Sequence, residues 1–70
     1  MPKLYSSFHV LKILSAHGFI FISQKGSHIK VRKQGNPVLN VIVPADRKEI
    51  PHGTLRSILR QSQLSIKDFE

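Results

Sequence analysis

The chain has seventy residues, with eleven Lys and Arg against four Asp and Glu, a formal charge of +7 and no cysteine. A chain this short buries only roughly 60% of the surface its unfolded form exposes, so one domain spanning residues 1–70 with a small core, and no deep buried pocket, is expected. Without cysteine there is neither a disulfide staple nor a thiolate zinc site, which fits a reducing compartment and a cytoplasmic protein.

From Ser7 to His17 the apolar residues Phe8, Val10, Leu11, Ile13 and Leu14 share one side of a 3.6-residue period, and this predicts an amphipathic helix. Ser6 or Ser7 supplies the N-cap, and Gly18 takes the left-handed conformation that ends the helix. Phe19 to Ile22, aromatic and β-branched, reads as a strand, and Gln24 to Ser27 as a hairpin connection. It is also the longest unbroken apolar run, too short to cross a bilayer, and no signal-peptide pattern precedes it, so a soluble chain is expected.

A second strand, His28 to Lys33, alternates: Ile29 and Val31 point one way, His28, Lys30 and Arg32 the other. Gln34 to Pro37 has turn chemistry. Val38 to Val43 forms a third strand stopped by Pro44, with Leu39, Val41 and Val43 inward and Asn40 outward. Ala45 to Ile50 is a charged connector. Pro51 suits a first helical turn, and Leu55, Ile58 and Leu59 define a second helix over about Pro51 to Gln61, with Arg56 and Arg60 on its flank. Ser65 and Asp68 have capping-box spacing and start a last helical turn. The expected class is α+β, in the order α-β-β-β-α, with helices on one face of a three-stranded antiparallel sheet and the other face open.

That open face places His28 among cations. Histidine is the one side chain whose ordinary pKa lies near neutrality, so it can take and return a proton at working pH. Basic residues spread along the chain, from Lys25 to Arg60, draw an anionic partner, nucleic acid or an acidic protein. No spacing among His9, His17, His28 and His52 matches a two-histidine helix motif or a zinc finger, and Asp46, Glu49, Asp68 and Glu70 do not complete one. Neither a metal nor another cofactor is expected.

The run Gln24-Lys25-Gly26-Ser27-His28, the Val43-Pro44 pair, and the stretch from Lys48 through Gly53-Thr54-Leu55-Arg56 to Gln61 together resemble the HicA toxins of HicAB toxin–antitoxin systems. Two positions depart from that pattern: Ile29 follows the motif histidine where a further His or polar residue is common, and His52 stands where Lys is usual. The resemblance implies a fold like the double-stranded RNA-binding domain, an mRNA interferase activity, neutralisation by a HicB-type antitoxin and a catalytic role for His28. On that reading Lys25, Lys30 and Arg32, with the backbone of Gly26 and Ser27, are the expected RNA contacts, and Arg56 and Arg60 contact RNA or antitoxin. The antitoxin is expected on the His28 face or on the basic helix flank.

Two other readings use the same charge: a non-catalytic RNA-binding module of the same element order, and a purely partner-binding subunit. The start of the second helix, Pro51-His52-Gly53-Thr54-Leu55, is not lysine-rich, which weakens the first. His9, His17 and His52 are expected as solvated surface residues. Phe19 and Phe21 have the chemistry to stack bases, but their strand spacing favours the core.

Overall fold

A computed structural model describes residues 4–70. Helix α1 (Ser7–Ala16) leads into strands β1 (Ile20–Lys25), β2 (His28–Lys33) and β3 (Leu39–Pro44), then helix α2 (His52–Ser62) and a closing 3-10 turn, Ile66–Phe69. The strands form one antiparallel sheet in the order β1-β2-β3. This is the expected α-β-β-β-α arrangement; most element ends move by one residue, but β1 runs three residues past its expected end, to Lys25, and shortens the expected Gln24 to Ser27 connection to Gly26 and Ser27.

Local chemistry sets the boundaries. The Ser6 hydroxyl accepts the His9 N–H at 3.0 Å and caps α1. Gly18, at φ +94°, turns the chain out of the helix, while the Gly18 and Phe19 N–H groups donate to the Ser15 and Leu14 carbonyls at 3.1 and 3.0 Å. The β2–β3 pairing sets Val31 against Val41 and Ile29 against Val43, so these side chains share the inner face, while Lys30 opposes Ile42 and Arg32 opposes Asn40 on the outer one. The predicted register therefore holds.

The core forms where both helices meet the inner face of β2 and β3. Val10 and Leu14 from α1, Val41 and Val43 from β3, and Ile58 from α2 are fully buried there, with Leu55 nearly so. Helix α2 also guards the sheet edge, because the Gln61 side-chain oxygen accepts the outward-facing Ile42 N–H at 2.9 Å.

Three sequence expectations need correction. Phe19 is buried at 3% exposure, but Phe21 is 62% exposed and Phe8 77%. Both helices pack chiefly against β3, so β1, two strands away, overhangs them and all six of its residues are exposed. Phe21 lies opposite Val31 with its ring on the helix side, where it lines an open cleft with Leu11 and Ser15 of α1 instead of packing into the core. Phe8 sits on the flank of α1 toward this overhang and lines a groove with Leu11, Gln24 and Ile29.

His9, expected to be solvated, is held instead. Its ring stacks on Tyr5 with centroids 4.9 Å apart, and its Nε2 lies 2.8 Å from the Phe69 carbonyl oxygen. The cause is the chain's end folding back on α1: Phe69 is completely buried, and the Asp68 carboxylate closes the turn by accepting the Ser65 N–H at 2.9 Å and the Ser65 hydroxyl at 3.2 Å. The bond from the Ser65 backbone, more than any other influence, lowers the Asp68 pKa below its ordinary value.

Candidate functional site

The β1–β2 hairpin places the histidine. Gly26 and Ser27 form a two-residue turn, and Gly26 at φ +59° supplies the positive φ that a tight hairpin of this hand requires. His28 is therefore the first residue of β2, paired with Lys25 on one side and Pro44 on the other. The turn is tied down from both directions. The Gln24 side-chain amide donates to the Gly26 carbonyl at 3.1 Å, and the Ala45 N–H donates to the Ser27 carbonyl at 2.7 Å.

Being central in the sheet gives the histidine a fixed backbone with an exposed side chain. On its β1 side lies a cleft of about 470 Å³ lined by Ser23, Lys25, His28, Lys30 and Ile42. Two of the expected phosphate-binding cations, Lys25 and Lys30, thus share a hollow with the imidazole. Arg32 does not line it. It lies two residues further along the same face, where its Nε donates to the Asn40 side-chain oxygen at 2.8 Å.

A second cleft, of about 350 Å³, opens between His28 and α2, with Pro44, Arg47, Thr54 and Gln61 among its walls. His28 and Ile42 belong to both hollows, so the imidazole stands on the ridge between them. Neither cleft has a carboxylate in its walls. With the chain at +7, the field over the ridge favours an anion.

The remaining candidates lie elsewhere. Thr54 and Gln61, seven residues apart, share the α2 flank that faces the second cleft, and helical periodicity turns Arg56 and Arg60 to the outer side. Arg60 donates there to the Ser57 hydroxyl at 3.4 Å. His52, exposed at the start of α2, lines neither cleft. Among the described residues, no three of His, Cys, Asp and Glu come together in a way that could hold a metal ion. Also among them, no helix is long and apolar enough to cross a membrane.

Sequence reasoning missed Arg47 and Thr54. Arg47 falls in an aperiodic charged connector, and the only signal available was its distance of three residues from the strand end that pairs with His28.

A three-stranded antiparallel sheet in the order α-β-β-β-α, backed by two helices and bearing a basic open face, is of the class built like the double-stranded RNA-binding domain. Within that class the assignment is specific. The family model described as HicA toxin of bacterial toxin-antitoxin matches residues 9–64, and the chain belongs to the HicA toxin family. Membership makes it the toxin side of such a system and implies an antitoxin as its partner. No curated protein matches the chain.

Proposed function

We propose that the protein, as one domain over residues 1–70 acting in the cytoplasm, is a metal-independent endoribonuclease that cleaves mRNA with His28 as the catalytic residue. A HicB-type antitoxin neutralises it by covering the open sheet face. The observation that carries this reading is the grouping of His28 with Lys25 and Lys30 in one cleft on that face.

In the reaction, the ribose 2′-oxygen bonds to phosphorus as the bond from phosphorus to the 5′-oxygen breaks. The products are a 2′,3′-cyclic phosphate and a 5′-hydroxyl. One proton leaves the 2′-hydroxyl and one reaches the departing 5′-oxygen; His28 carries out one of these transfers, and solvent balances the other. Lys25 and Lys30 hold the backbone phosphates and offset charge on the non-bridging oxygens. The Gly26 backbone is accessible, with open space where a Cβ would sit, so a phosphate can approach the turn closely.

The test uses purified, antitoxin-free protein, a long single-stranded RNA and EDTA, beside His28→Ala prepared identically. Wild-type cleavage is expected, with a loss of about 10²–10⁴ in rate for the variant. RNA bound but uncut by both proteins would make this a binding module. Equal cutting by both would remove His28 from the chemistry.

A further inference from the structure

We propose that Arg47 is a second catalytic residue, whose guanidinium holds the non-bridging oxygens of the scissile phosphate from the α2 side of His28. The inference rests on the ribonuclease reading above and deepens it.

Arg47 is the only Lys or Arg in the walls of the second cleft, and it stands at the border between that cleft and the α1-side groove, whose walls it shares with Phe8, Asp46 and Lys48. Its backbone is fixed with respect to the histidine by a continuous set of short bonds. The Arg47 N–H donates to the Ser7 hydroxyl oxygen at 3.0 Å, and the Arg47 carbonyl accepts the Ser7 N–H at 2.9 Å. Ser7 is itself buried, and its hydroxyl donates to the carbonyl of Pro44, the residue that pairs with His28 across the sheet. Asp46, at φ +56°, makes the bend that brings Arg47 back to this position.

The guanidinium at the end of this fixed backbone is uncommitted. Among the described residues no carboxylate pairs with it and no hydrogen bond engages it, whereas Arg32 is bonded to Asn40 and Arg60 to Ser57. The other polar groups in this cleft offer less. The Gln61 side-chain oxygen is taken by the Ile42 N–H, and Thr54 carries no charge. A phosphate placed on the His28 ridge would have Lys25 and Lys30 on one side and Arg47 on the other. The planar fork of arginine matches two oxygens of one phosphate, where a lysine offers a point charge.

The experiment measures single-turnover cleavage at saturating RNA, and RNA affinity separately, for wild type, His28→Ala, Arg47→Ala, Arg47→Lys and Lys48→Ala. Arg47→Ala is expected to lose about 10²–10³ in rate, the scale for removing one preorganised donor to a developing oxyanion, with affinity changed by less than about threefold. Arg47→Lys should recover part of the loss. Lys48→Ala removes the same charge one residue away, outside this cleft, and should cut at the wild-type rate. Circular dichroism of each variant checks the fold. An Arg47→Ala enzyme that cuts at the wild-type rate while His28→Ala is inactive would overturn this inference alone, as would weakened binding with an unchanged rate, or equal losses in Arg47→Ala and Lys48→Ala. Absence of cleavage by wild type would overturn it together with the ribonuclease reading.

Discussion

Phe69 is the largest fully buried side chain among the described residues, although it stands in a short turn beyond α2. Truncating such a residue costs about 3–5 kcal/mol, through lost transfer free energy and the cavity left behind. Typical stabilities of about 0.05–0.15 kcal/mol per residue imply a total of that same order for a chain this small. Phe69→Ala should therefore leave a substantial unfolded population at 37 °C, seen as a lowered urea midpoint. A midpoint near wild type would show that the C-terminal turn is not part of the core. Phe69 was not legible in the sequence because a single aromatic in a short polar tail has no periodicity to reveal its burial. His28 was legible, because strand alternation put it on the face with Lys30 and Arg32 and the hairpin glycine lay two residues before it. Arg47 was not, since its position depends on Ser7, forty residues away, reaching across to fix the connector.

At the scale of elements, alternation recovered the β2–β3 register but not how far the helices extend over the sheet. A period-2 pattern says which face a side chain takes and nothing about what lies above it. Phe21 follows the pattern and stays exposed for that reason. Capping chemistry was more local and so more readable: Ser6 before α1, Gly18 after it, and the Ser65–Asp68 closure all occur at their sequence positions. The last of these carries a pH signature. The folded state lowers the Asp68 pKa, chiefly through the Ser65 N–H, so the charged carboxylate stabilises the turn above the ordinary Asp pKa. That contribution fades as pH falls through the lowered value. Urea midpoints of wild type and Asp68→Asn should differ most at neutral pH and converge as the pH falls below the lowered Asp68 pKa. A gap independent of pH would mean that the carboxylate charge has no part in closing the turn.

At the scale of the whole molecule, a charge of +7 on seventy residues makes RNA association salt-dependent under the proposed function. For single strands, log affinity falls with log salt at a slope of about −0.7 per phosphate neutralised. Lys30→Ala should reduce that slope by about 0.7 in an anisotropy titration between 50 and 200 mM salt. His28→Ala, at a pH where imidazole is neutral, should leave it unchanged. Equal slopes for Lys30→Ala and wild type would place Lys30 away from the phosphates. The overhang of β1 bears on the same experiments. Its outer edge offers unpaired peptide groups beside Ile20, Phe21 and Ile22, a template onto which the same strand of another copy can add. Mutual repulsion between like-charged copies opposes that pairing, and the Debye length shrinks from about 10 Å at 0.1 M to about 3 Å at 1 M. High-salt washing to strip bound nucleic acid therefore also removes the colloidal protection of the freed protein. The toxin is most prone to precipitate at the step that makes it cleanest.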